Sequence, residues 1–260
     1  MGRSKGRWIA ISPFRKMVCD LMHFSQQVPV AIAERRMNLA PLLEARRRAS
    51  KRPAWTTLFA KAYGTVCAST PPLRRCYLKF PWHRLYEHPH SIVALNVERR
   101  LDNEDVVLFC LIRAPENREL QEIEAVVREH MEKPVEELRS HQRAMAVSRI
   151  PWPLRRMFWW CALNLFGRRR CHNYGTFSLT SVGSRGAGLL NVAPILTTAI
   201  HYGQIDEEGC VDVRLSWDHR VMDGSTLARA LVELESVLNN QIAGELLAGS
   251  GTGIGLAKVA

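Results

Sequence analysis

Apolar and polar residues alternate from Val211 to Trp217, where Val211, Val213, Leu215 and Trp217 are separated by Asp212, Arg214 and Ser216. This is the period-two pattern of a strand with one buried face. A few residues later the period changes. Leu227, Leu231, Leu234 and Leu238 recur at helical spacing, with Asp223 or Ser225 placed to cap the first turn. Between the two patterns lies Trp217-Asp218-His219-Arg220-Val221-Met222-Asp223-Gly224. A histidine, and an aspartate followed by glycine, therefore stand where a strand gives way to a helix.

The rest of the chain reads by the same rules. Ser12-Pro13 is a cap followed by a first-turn proline, and Phe14, Met17, Val18, Leu21 and Met22 give the next segment an apolar stripe. Val28 to Ala33 predicts a strand, Asn38 caps a helix through about Arg48, and Trp55 to Ala68 predicts another. In that last helix Leu58, Phe59, Ala62, Tyr63 and Val66 point inward. Pro71-Pro72 stops it. Ser91 to Val97 and Val106 to Ile112 are strand-like runs on either side of the polar Asp102-Asn103-Glu104-Asp105 turn. Glu119 to Met131 predicts an amphipathic helix with Leu120, Ile123, Val126 and Val127 on one side. Gly249-Ser250-Gly251-Thr252-Gly253-Ile254-Gly255 follows a helix and opens no other, so it predicts a flexible end and not a dinucleotide loop.

Composition narrows the class. With 260 residues, 47% hydrophobic and 23% charged, the chain can bury a core, and no linker-like stretch divides it. Residues 1–260 therefore read as a single domain, with 1–10 and 247–260 as flexible ends and 150–170 as an apolar insertion. The net charge of +11 suits an anionic partner. The arginines are scattered in short clusters (46–48, 74–75, 99–100, 155–156 and 168–170) with no nucleic-acid motif beside them. Most are expected to be solvated, and nucleic acid is not an expected partner. Seven cysteines without C-x-x-C spacing argue for a reducing, cytoplasmic setting and against a disulfide framework or zinc site. No metal is expected; His88-Pro89-His90 reads as a turn. Met1 to Arg7 is basic but precedes no long apolar run, so no secretory signal is expected.

An imidazole titrates near neutral pH and can take and return a proton. Asp223, four residues on, can brace the turn or meet a cation, and Gly224 allows a backbone that other residues resist. The stretch Ser216 to Gly224 resembles the D-H-R-x-x-D-G signature of the dihydrolipoyl acyltransferase catalytic domains of 2-oxoacid dehydrogenase complexes, relatives of chloramphenicol acetyltransferase. Gly175-Thr176-Phe177-Ser178-Leu179-Thr180-Ser181-Val182-Gly183 is similar to that family's G-T-F-T-I-S-N-L-G. Phe14 to Met22 is similar to its opening R-x-x-I-A-x-R-M helix, and Leu189 to Tyr202 to its P-x-x-A-I-L-x-x-G strand.

The resemblance implies an α+β two-layer sandwich with a mixed central sheet and helices packed on one face. It implies acyl transfer between coenzyme A and a thiol, hydroxyl or amine. His219 would be the general base, Thr180 the oxyanion donor in place of a serine, Asp223 a third catalytic-site residue and Arg15 its partner. Ser181 stands where the family usually has asparagine. The resemblance also implies a homotrimer whose site lies between subunits, with histidine and oxyanion donor on different chains.

The 260 residues show no lysine-bearing all-β lipoyl module and no Pro/Ala-rich linker. The acyl donor then arrives on another protein, or a free acceptor is acylated, and the second is favoured. The main departure from the family is Pro151 to Arg170, whose apolar centre is too short for the ~20 residues that span a bilayer. It can pack inside the protein, which is favoured over membrane contact, pack against a neighbouring subunit, line an acyl-chain tunnel, or lie in a membrane interface. Two rival readings follow: a non-catalytic trimeric scaffold, and a membrane-surface acyltransferase acting on lipids.

Overall fold

A computed structural model describes residues 6–101, 104–181 and 195–251. Helix α1 (Pro13–Ser25) begins as predicted, with the Ser12 hydroxyl accepting from the Arg15 amide at 3.1 Å. It leads to strand β1 (Val30–Asn38), then helices α2 (Ala40–Arg48) and α3 (Trp55–Ser69). The short hairpin β2 (Arg75–Leu78) and β3 (Arg84–Glu87) follows. The long strands β4 (Ile92–Leu101) and β5 (Glu104–Arg113) come next, and then helix α4 (Leu120–Glu132). Helices α5 (Arg139–Ser148), α6 (Trp152–Asn164) and α7 (Gly167–Tyr174) precede β6 (Phe177–Thr180), β7 (Thr198–Tyr202) and β8 (Cys210–Asp218). The motif turn joins β8 to α8 (Gly224–Val237), and a π-helical turn at Leu238–Ile242 runs into α9 (Ala243–Gly251).

The six-stranded sheet has the order β1-β8-β7-β6-β4-β5. Strand β6 runs parallel to both neighbours, while β1·β8, β7·β8 and β4·β5 are antiparallel. One face carries Val93, Leu95, Phe177, Leu179, Ile200, Val213, Leu215 and Trp217, which join residues of α2, α3, α4 and α8 in the main core. Each strand alternates, so the opposite face carries Glu34, Arg214, His201, Ser178 and Thr180. Fully burying one Leu or Phe side chain contributes about 1.5–3 kcal/mol, so the all-buried stripe Leu58, Phe59, Tyr63, Val66 of α3 anchors the helical layer.

Helices α1, α5, α6 and α7 form a second group that packs together and against the edge strand β5 and the β2–β3 hairpin. Asp20 of α1, 1% exposed, is clamped by Arg155 and by Arg156 Nε (3.1 Å), both from α6. Arg170 is also buried, and its guanidinium donates to the carbonyls of Tyr77 (2.7 Å), Leu163 (2.9 Å) and Ile195 (2.8 Å). The expectation that these clusters are solvated fails here. A buried cation needs fixed acceptors, and Asp20 of α1 and the carbonyls of Tyr77, Leu163 and Ile195 provide them.

The segment 151–170 forms α6 and the start of α7, and it is not apolar on every buried side. Only Arg155, Trp159 and Leu163 of α6 are buried, while Trp152, Leu154, Met157 and Phe158 are exposed. At the C-terminus the predicted flexible end is partly helix, because α9 continues to Gly251; residues from 252 lie outside the described set. His88 and His90 close a turn as read, with His88 Nδ1 2.7 Å from the His90 carbonyl. Among the described residues no helix is long and apolar enough to cross a membrane.

Candidate active site

Residues 218–224 are held from several directions. Trp217 Nε1 donates to the Met222 carbonyl at 3.1 Å, and the His219 amide donates to Pro29 on the approach to β1 at 3.0 Å. Val221 and Met222 are buried in the main core on the far side of the histidine. The tightest device is Asp218, a buried carboxylate that accepts from Arg220 Nε (2.8 Å), Arg220 Nη2 (2.7 Å) and the Arg220 amide (3.1 Å). The same guanidinium lies 4.1 Å over the Tyr77 ring. Bidentate pairing fixes both partners in one plane, and the aromatic face closes the third direction.

Neither Asp218 nor Arg220 was assigned a role from the sequence. The available signal was their position on either side of the histidine.

Against that frame His219 stays accessible, its side chain 49% exposed. Its Nδ1 is 3.9 Å from Asp223 Oδ1, a distance at which the carboxylate, 87% exposed, orients the ring only weakly. Asp223 occupies the cap position of α8, but its side chain makes no capping hydrogen bond. Gly224 differs from the expectation. It has no positive φ, and a Cβ there would come no closer than 3.8 Å, to Trp217, so the turn does not need its freedom. The glycine that is needed is Gly175, at φ +100°, where a Cβ would sit 3.0 Å from the Ile92 carbonyl at the entry to β6.

Thr180 ends β6 and is buried. Its cross-strand partner is His201, which in turn pairs with Arg214 of β8. Burial, and next the Arg214 cation, push the His201 pKa down against the opposing hydrogen bond with the Thr180 backbone, which favours the uncharged ring. Its sequence signal is a lone histidine in the apolar run Thr198–Tyr202. Ser181 Oγ donates to the Tyr202 carbonyl at 3.0 Å, which ties it to β7. Val182 and Gly183 of the second motif lie outside the described residues.

Strand direction separates the two principal candidates. Thr180 is level with Arg214, and His219 is five residues further along β8 and two strands over. At about 3.3 Å per residue and 4.8 Å per strand, they stand roughly 19 Å apart within one chain. Arg15 belongs to the Thr180 end of the sheet. It pairs with Glu104 at 3.7 Å, and Glu104 opposes Leu101 at the far end of β4. The expected Arg15–Asp223 pair is therefore not formed within the chain, because the first turn of α1 lies beside Glu104 while the motif turn is at the opposite end of the sheet.

No family model matches the chain, and no curated protein matches it by sequence. Solved structures do match. A probable dihydrolipoamide acetyltransferase from Listeria monocytogenes aligns with a TM-score of 0.63 at 16% identity, over 96% of this chain and 98% of that one. The cubic core of the pyruvate dehydrogenase multienzyme complex aligns with a TM-score of 0.66 at 15% identity, over 94% and 96% of the two chains. A chloramphenicol acetyltransferase aligns with a TM-score of 0.53 at 12% identity, over 88% and 98%. At such identities the likeness is one of fold, and it is the fold that the two motifs implied: a mixed α+β chain with the architecture of dihydrolipoamide acetyltransferase catalytic cores and chloramphenicol acetyltransferase.

Proposed function

We propose that the chain, read as one catalytic domain, is an acyltransferase that moves an acyl group between coenzyme A and a thiol, hydroxyl or amine acceptor. The observation that carries this is the motif turn, which locks the backbone on both sides of His219 yet leaves its imidazole half exposed. His219 takes the proton of the acceptor nucleophile, which attacks the thioester carbonyl carbon. The negative charge that develops on the carbonyl oxygen is held by the Thr180 hydroxyl. Collapse breaks the carbon–sulfur bond, and the protonated imidazole returns its proton to the departing coenzyme A thiolate. Coenzyme A is a substrate here, and the +11 chain complements its phosphates. The seven free thiols are in keeping with a reducing cytoplasmic setting.

The separation of His219 and Thr180 within one chain supports a site to which a neighbouring copy supplies one of them, as a homotrimer with sites between its subunits would. Subunit complementation tests this. His219→Ala and Thr180→Val chains, each inactive alone, should regain about a quarter of the wild-type turnover when mixed through unfolding and refolding. That is the chance that one interface joins an intact histidine to an intact threonine. A mixture that stays inactive would rule out a shared site.

A peripheral membrane contact is favoured by the outer surface of α6 and its surroundings. Exposed Trp152, Phe166 and Trp82 each lie under a guanidinium, from Arg156 (5.9 Å), Arg169 (5.2 Å) and Arg84 (5.8 Å) respectively. Aromatics among arginines suit the headgroup layer of an anionic bilayer. The protein should co-float with vesicles rich in phosphatidylglycerol but not with phosphatidylcholine alone, and Trp152→Glu with Met157→Glu should abolish flotation. Wild-type protein that remains with the unbound fraction would refute the contact.

A further inference from the structure

A cavity of about 850 Å³ lies between α1, the edge strand β5, α4, α5 and the α6–α7 segment. That is within the roughly 300–1,000 Å³ of small-molecule sites. None of the proposed catalytic residues lines it. Part of its wall is apolar, with Leu21 from α1, Phe109 and Leu111 from β5, Val147 from α5, and Trp159 and Tyr174 from the α6–α7 segment. Cations also border it. Lys133 is paired with Glu129, and Arg113 Nη2 contacts His172 Nε2 at 3.2 Å. Arg139 and Arg143, one turn apart on α5, form no ion pair among the described residues. Glu137 is the remaining acidic residue of the lining.

Three polar atoms on lining residues are shielded from solvent and have no hydrogen-bond partner: Trp159 Nε1, Ser140 Oγ and His130 Nε2. Trp159 is 3% exposed. Shielded in this way, these atoms do not meet the contents of the cavity, which faces its apolar residues and the cations Arg139 and Arg143. The lining also reaches Ile195, which borders a small cleft shared with Arg220 of the motif turn. A ligand that matches the lining of the cavity is apolar along much of its length and anionic or oxygen-bearing at one end.

We infer that the cavity binds a fatty-acyl chain, its alkyl part against Leu21, Phe109 and Trp159 and its carboxyl or thioester head toward Arg139 and Arg143. Binding stands on the cavity alone; that the bound acyl group is the one transferred rests on the acyltransferase reading. Short acyl groups such as acetyl would leave the apolar walls unfilled, so the cavity selects for length.

Titrating the full chain with dibromostearate and following tryptophan emission tests this, since bromine quenches only at contact range. Wild-type protein should show saturable quenching that plain stearate competes away. Trp159→Phe should lose the larger part of the quenching while still binding stearate by calorimetry. Arg143→Glu, a change at an exposed position, should weaken stearate about tenfold or more and leave its methyl ester unaffected, the loss of one charge-assisted contact. Quenching that does not saturate, or that is unchanged in Trp159→Phe, would overturn the assignment.

His219→Ala should quench like wild type. Acetyl transfer by a protein that shows no quenching would sink the cavity and spare the acyltransferase. Quenching by a protein that transfers no acyl group would do the reverse.

Discussion

Replacing His219 by alanine should lower the rate of acyl transfer roughly a hundred- to ten-thousand-fold, the usual contribution of a positioned general base. The fold should not change. The imidazole is half exposed and makes no hydrogen bond that holds the turn, while the Asp218–Arg220 pair, the Trp217–Met222 bond and the burial of Val221 all remain. Circular dichroism and the melting temperature should match wild type. Small, strongly basic amines may be added as external bases, and partial rescue would place the defect in proton transfer. Turnover that is unchanged in His219→Ala would remove the base from the mechanism. Absence of turnover in the wild type across acyl-coenzyme A chain lengths would favour the scaffold reading instead.

The second large effect is expected at Thr180. Thr180→Val keeps the branched shape and the strand preference of the residue and removes only the hydroxyl. Loss of one oxyanion donor costs about 2.7–4 kcal/mol, so kcat should fall by about a hundred- to a thousand-fold. KM should change little, because the interaction forms as charge develops and not when the substrate binds. Thr180→Ser, which restores the donor, should recover most of the rate. A Thr180→Val enzyme with normal kcat would leave the hydroxyl a strand residue with no part in the reaction.

These two residues are also the clearest measure of what could be read without coordinates. Both were found by local pattern: one at a strand-to-helix junction, the other in a second motif at the end of a short strand. The core stripe of α3 and the Ser12 cap were legible for the same reason, since periodicity and capping depend on residues within a turn or two of one another. The α5 helix and the β2–β3 hairpin were not, because their apolar positions are few and are buried by distant segments. The 151–170 segment misled in one respect. Its high apolar content suggested burial all round, whereas Asp20 on α1 takes Arg155 and Arg156 and so turns one face inward and leaves Trp152, Met157 and Phe158 outside.

The sequence by itself determined the main strands and helices around the site, the buried faces of α3 and β8 and the junction that carries His219, because these follow from the spacing of side chains along a helix or strand. Only the tertiary structure decided which ends of the sheet carry His219 and Thr180, that Arg15 meets Glu104, that Arg220 is held by Asp218 and Tyr77, and that a large cavity opens beside β5. Those outcomes depend on strand order, strand direction and the docking of helices far apart in the chain, and such long-range pairings leave no period in the sequence for a local pattern to reveal.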